Sequence, residues 1–164
     1  MQSAKDSFYM ALRDRLASVN PNRAITLEGT AQPAIVVSEN EPATGAVPPC
    51  DCFRLEFGAA QVPQSHRASD VALLALECSV HYATRGTSAD GSDRGRTLAA
   101  MDDELLAICA PARVTIRDYT QRPPADLGTS AFWTEPQFGE MDPAGAELQR
   151  KATLTIYFHA KEIA

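Results

Sequence analysis

Residues 151–160, KATLTIYFHA, alternate without a break. Ala152, Leu154, Ile156, Phe158 and Ala160 fall on one side, and Lys151, Thr153, Thr155, Tyr157 and His159 on the other. A period of two in β-branched and aromatic residues is the pattern of a strand buried on one face. Upstream, residues 94–109, RGRTLAAMDDELLAIC, place Leu98, Met101, Leu105 and Ile108 at helical spacing, and Pro111 marks the helix end. Between these two segments, 113–119 (RVTIRDY) and 130–135 (SAFWTE) read as strands, joined by an irregular segment over 120–129. Residues 136–147 read as the connection to the closing strand. This most regular third of the chain carries no catalytic signature and reads as scaffold.

The first element is a helix from Ser3 to Val19. Ser3 is its expected cap, with Asp6 three residues on. Phe8, Leu12 and Leu16 share one face, while Asp6, Arg13, Asp14 and Arg15 supply much of the solvated part. Asn20-Pro21 stops it, because a residue before proline is pushed out of the helical region. Short strands are expected at 24–29 and 34–38, and a half-buried strand at 52–57. Residues 39–51 hold three prolines and read as a loop or extended arm.

The stretch 70–83, DVALLALECSVHYA, is the longest apolar strand. Its even positions are apolar throughout, but its odd positions start apolar (Val71, Leu73, Ala75) and turn polar (Glu77, Ser79, His81). The first half therefore wants cover on both faces, from loops or from another subunit. Residues 84–95, TRGTSADGSDRG, read as the most flexible loop, with Ser92 or Asp93 placed to cap the following helix. The order is helix, several strands, helix, three strands. It predicts a single α+β domain over 1–164, with a mixed, mostly antiparallel sheet of about five to seven strands and two main helices packed on one face.

Composition narrows the function. With 15 Lys plus Arg against 21 Asp plus Glu, the net charge of −6 argues against a nucleic-acid binder held by phosphate contacts. No run approaches the roughly 20 apolar residues of a membrane span. The N-terminus is charged too early for a signal peptide, so a cytoplasmic site of synthesis is expected.

Cys50-Asp51-Cys52 with His66 is the one cluster resembling a metal site, but a single C-x-C lacks the second pair that makes zinc spacing persuasive. Cys78 and Cys109 read as small core residues. His81 and His159 lie on polar strand faces, where they could meet Glu77 or Tyr157 for acid–base work; exposed polar residues are the plainer reading. Asp102, Asp103 and Glu104 point in different directions around a helix and read as a solvated or interface face. Gly86, Gly91 and Gly95 lack the spacing and the Lys-Ser/Thr of a phosphate loop. No catalytic residue, cofactor or metal ligand is nominated. Arg85, Arg94, Arg96, Arg113, Arg117 and Arg122 are interleaved with Asp90, Asp93, Asp102, Asp103, Glu104 and Asp118. Mixed signs suit a protein–protein rim better than DNA. The candidate contact residues are Arg85, Asp93, Arg94, Arg96 and Arg117.

This organisation resembles the tail terminator, or tail completion, proteins of long-tailed bacteriophages and related phage-like particles. DSFYMALRDRL, AIVVSEN, CFRLEF, VALLALECSVHYATRG, RTLAAMDDELLAIC, VTIRDYT, SAFWTEP and KATLTIYFHAKE carry the resemblance, which spans nearly the whole chain in patterns of hydrophobicity. It implies a non-enzymatic virion subunit that closes into a ring, commonly of six. The ring caps the tail tube, stops its polymerisation and offers the head-tail connector or neck protein a surface to join. The implied location is the virion tail, with assembly in the host cytoplasm; the implied partners are copies of the chain, the tail tube protein and the connector, with no membrane and no sequence-specific nucleic acid. The 39–51 stretch is longer than the resemblance leads one to expect. Alternatives are another neck or head-completion ring protein, or, from a different class, a small-molecule-binding or enzymatic α+β domain.

Overall fold

In a computed structural model, residues 1–40, 49–63 and 72–159 are described. Residues 41–48 of the proline-rich stretch, His66, Asp70, Val71 and Ala160 lie outside them. The described elements are α1 (Gln2–Val19), β1 (Ala24–Leu27), β2 (Thr30–Pro33), β3 (Ile35–Val37), β4 (Phe53–Gln61), β5 (Leu73–Thr84), α2 (Arg94–Ile108), β6 (Arg113–Asp118), β7 (Ala125–Trp133), β8 (Gln137–Ala144) and β9 (Glu147–His159). Seven strands form the main sheet in the order β3-β4-β5-β9-β7-β6, with β8 also paired to β9. The β3–β4 pair is parallel and the others are antiparallel. The fold is α+β, as the sequence predicts.

The closing strand is the axis of the sheet. Along one edge, β9 matches β5 through 12 register pairs, from Leu73↔His159 to Thr84↔Leu148. Its other edge is shared: β7 takes Ile156–Phe158 and β8 takes Glu147–Thr153. One set of alternating residues, Leu76, Cys78, Val80 and Tyr82 with Ala152, Leu154, Ile156 and Phe158, joins Phe8, Leu12 and Leu16 of α1 and Leu98, Met101, Leu105 and Ile108 of α2 in a single apolar cluster. Full burial of a Leu- or Phe-sized side chain is worth about 1.5–3 kcal/mol, so this cluster dominates the driving force.

Polar contacts fix how the helices sit. Trp133 packs edge-on to Phe8, with ring centroids 5.0 Å apart. Its indole Nε1 donates to the Cys109 carbonyl at 3.0 Å. Arg15 does not lie in solvent as expected. Its guanidinium sits over the Trp133 ring and donates to the carbonyls of Ile108 and Ala110 at 2.8 and 2.7 Å. The last carbonyls of a helix lack partners within it, and a cation favours that end of the dipole. Ser7 Oγ donates to the Ser3 carbonyl and accepts from the Arg117 amide, tying α1 to β6.

Several local expectations are corrected. Met1, not Ser3, stands at the start of α1, with no side-chain cap. The strand expected over 24–29 stops at Leu27 and turns at Glu28-Gly29, where both φ values are positive (49° and 79°), into a hairpin with β2. That is the twist-matched two-residue turn. Residues 125–129 belong to β7 and 137–144 form β8, so four strands follow α2 rather than three. Leu73 and Ala75, whose face was expected to need cover, are each only 8% exposed in the isolated chain. Of the two covers left open, the chain itself supplies the one over Leu73 and Ala75.

Phe8→Ala empties a fully buried site against Trp133 and Phe57. It is expected to cost about 3–5 kcal/mol in a urea unfolding curve. A loss under 1 kcal/mol would contradict this account of the core.

Candidate functional site

The outward-facing positions of the sheet border a cleft. Cross-strand register sets Arg54 of β4 beside His81 of β5, and His81 beside Lys151 of β9. This row of basic residues borders a cavity of about 340 Å³ whose other wall includes Glu140, Asp142 and Glu147. A protonated His81 would stand between two cations, and like charges directly opposite one another are destabilising. Glu56 of β4 lies 3.0 Å from His81 Nε2. Burial, foremost, and then Arg54 and Lys151 lower the His81 pKa below the ordinary imidazole value, while Glu56 opposes the shift.

The proposed meeting of His81 with His159 does not occur. His81 pairs with Lys151, and His159 lies eight residues further along β9, opposite Leu73. At 3.3 Å per residue the two imidazoles are separated by roughly 26 Å. Tyr157 is committed elsewhere, its ring stacked on Phe132 with centroids 5.3 Å apart. Glu77 stands exposed opposite Thr155. These four residues are strung along two strands and cannot act on one substrate atom.

The 84–95 loop is built around Asp93. Its carboxylate accepts from the amides of Thr87 and Ser88 and from both their hydroxyls. These bonds hold its pKa well below the carboxylate range. Asp93 does stand at the start of α2, but its side chain turns back into the loop instead of capping the helix. Gly86, at φ 79°, would place a Cβ 2.3 Å from Asp93 Oδ1, so only glycine fits there. Arg85 donates to Glu147 at 2.8 Å, and Cys50 Sγ lies 3.2 Å from the same carboxylate. Burial and then that carboxylate push the Cys50 thiol up to about 11, keeping it protonated at neutral pH. Arg94 donates to the carbonyls of Gly145 and Ala146 in the β8–β9 turn. Three of the five candidate contact residues, Arg85, Asp93 and Arg94, thus brace the chain's own loop and hairpin. Arg96 and Arg117 are exposed.

The acidic run on α2 also separates by direction. Asp102 accepts from the Tyr82 hydroxyl and from Arg150, linking α2 to β5 and β9. Glu104 receives Arg23 and Asn20, linking α2 to the segment after α1. Asp103 alone of the three is exposed. The expectation of one solvated face is corrected: two of the three carboxylates hold tertiary contacts.

Sequence reasoning missed the exposed apolar residues at the two ends of the β9 edge. Phe132 is 43% exposed, and beside it Arg113, Gly128 and His159 line an open hollow. On β8 all eight residues are exposed, with Phe138 at 37% and Met141 at 53%. In the sequence these looked like a strand aromatic and a connection. The alternation placing Phe132 opposite Ala131 and Trp133 was the available signal.

No protein family and no curated protein matches this sequence. Among the described residues no His, Cys, Asp or Glu cluster has the makings of a metal site, and no helix is long and apolar enough to cross a membrane.

The His81 imidazole is expected to titrate below about 6.5 in a proton NMR titration, and Glu56→Gln to lower its midpoint further. The unfolded chain then binds the proton first. His81 therefore contributes stability above about pH 6.5 that is lost as the pH falls through the folded value. A midpoint above 6.5 would contradict the cleft geometry. Asp93→Ala is expected to speed amide exchange at Thr87 and Ser88, read by hydrogen–deuterium exchange, while the core amides of β9 stay protected.

Proposed function

We propose that this chain is a structural virion-assembly protein, a ring-forming tail terminator. In this reading copies of the chain close into a ring, of six in the expectation set by the resemblance. The ring caps the tail tube, halts its polymerisation and presents a surface to the head-tail connector or neck protein. It works without catalysis, in the virion tail after assembly in the host cytoplasm. The observation that carries the reading is the divided edge of β9, which leaves β6 and β8 as open strand edges, the latter exposed along its whole length. Exposed apolar side chains on an unpaired edge are a feature of surfaces that meet other chains. The helix–strand order also supports it: α1, the long β5, the loop into α2 and the closing β9 follow the pattern on which the resemblance rests. The mechanism is geometric, since a closed ring of head-to-tail contacts offers the tube protein a matching surface on one side only.

The same features serve a neck or head-completion ring. A ligand-binding domain has the 340 Å³ cleft in its favour. Replacing His81 with alanine separates that reading: a bound ligand lost with assembly unchanged favours it.

The direct test is the mass of the purified chain by light scattering across a concentration series, with electron micrographs of the same samples. Closed rings of uniform size, alone or on added tail tubes, are the expected result. A chain that remains monomeric alone and leaves tubes uncapped would overturn the proposal.

A further inference from the structure

The strands β6 and β8, at the two ends of the divided edge, carry side chains of opposite charge. Residues 113–122, which comprise β6 and the turn after it, hold three arginines (Arg113, Arg117, Arg122) against Asp118. Residues 137–144 hold Glu140 and Asp142 and no cation. Each surface sets apolar groups beside its charges: Phe132 is the cross-strand neighbour of Arg113, and along β8 Phe138 and Met141 lie on either side of Glu140, with Asp142 next. Aromatic residues, methionine and arginine are the types enriched where proteins meet.

These surfaces cannot satisfy each other within one chain. Phe132 pairs with Tyr157 and Met141 with Arg150, seven residues apart on β9. That is roughly 23 Å, more than twice the screening length at physiological salt. The guanidinium groups of Arg113 and Arg117 and the carboxylate of Glu140 also make no ion pair among the described residues. Nor is backbone pairing the natural mode of contact. β8 has a register shift between Phe138 and Met141 and carries Pro143, and both features blunt an edge against strand addition. What remains is side-chain recognition, which depends on charge.

We infer that the basic β6–β7 surface of one copy docks on the acidic β8 edge of a second copy. The inference rests on the ring reading above and names the residues of its contact: Arg113, Arg117 and Phe132 on one side, Phe138, Glu140, Met141 and Asp142 on the other. Two different surfaces meet, so a docked pair keeps one free surface of each kind and can add the next copy. Complementary charge fixes the register and makes association weaken with salt.

Charge reversal tests it by sedimentation velocity over a concentration series. Arg113→Glu/Arg117→Glu and Glu140→Lys/Asp142→Lys are each expected to raise the apparent dissociation constant about tenfold or more. An equimolar mixture of the two variants is expected to associate again, since every mixed contact then pairs opposite charges. Asp103→Lys, an exposed reversal on α2, is expected to change nothing, and circular dichroism checks that all variants fold. Wild-type association that ignores both reversals, or a mixture that stays apart, overturns this contact and leaves the ring reading standing. So does an equal loss in Asp103→Lys. A wild-type chain that is monomeric alone yet caps tubes also overturns it, because the contact needs no template. A chain that does neither overturns the ring reading itself.

Discussion

The burial of alternate side chains of β5 and β9 against both helices is the constraint on which the rest of the structure depends. Leu76, Cys78 and Val80 on one strand and Ala152, Leu154, Ile156 and Phe158 on the other share a cluster with Phe8, Leu12, Leu98, Met101 and Leu105. With that face committed, the opposite positions of the same two strands must hold Glu77, His81, Lys151, Thr155 and Tyr157, because a strand's side chains alternate. The row of basic residues, the cleft and the stacked Phe132–Tyr157 pair all follow from this register. A slip of one residue would exchange the two sets and bury a lysine and a histidine. The polar ties through Arg15, Trp133, Asp102 and Glu104 then set where each helix lies over that cluster.

What could be read in the sequence tracks burial. α1, α2, β5 and β9 each bury one stripe or one face, and their apolar spacing records it. β8 buries nothing: QFGEMDPA has no alternation, contains a glycine and a proline, and is a strand only because the turn at Gly145 folds it back on β9. Gly139 sits where a Cβ would come within 3.0 Å of the Lys151 carbonyl, so the bulge there has a packing cause that spacing alone does not reveal. β2 is invisible for the same reason as β8, being exposed or half-buried throughout.

The candidate contact residues divide along similar lines. Charge could be seen, but partners could not, because they lie far away in the chain. Arg85 finds Glu147 across 62 residues and Arg94 finds the β8–β9 turn across 51, so both are spent on the chain's own architecture. Glu104 finds Arg23 across 81 residues. Arg117 remains exposed, and the structure adds Arg113 and the acidic pair on β8, which an alternation-based reading had placed in a connection. The surfaces left over once internal pairing is complete are the two ends of the β9 edge. Their chemistry suits contact between chains.

The central claim, that this chain acts by assembling at the end of a tube, is tested most directly on the tube. Tail tubes would be grown from the tube protein of the same particle with and without the chain, and their lengths and ends measured in electron micrographs. The account predicts a ring of density at one end only and an arrest of growth that scales with the amount of chain added. Unchanged tube lengths, with no density at either end, would contradict it.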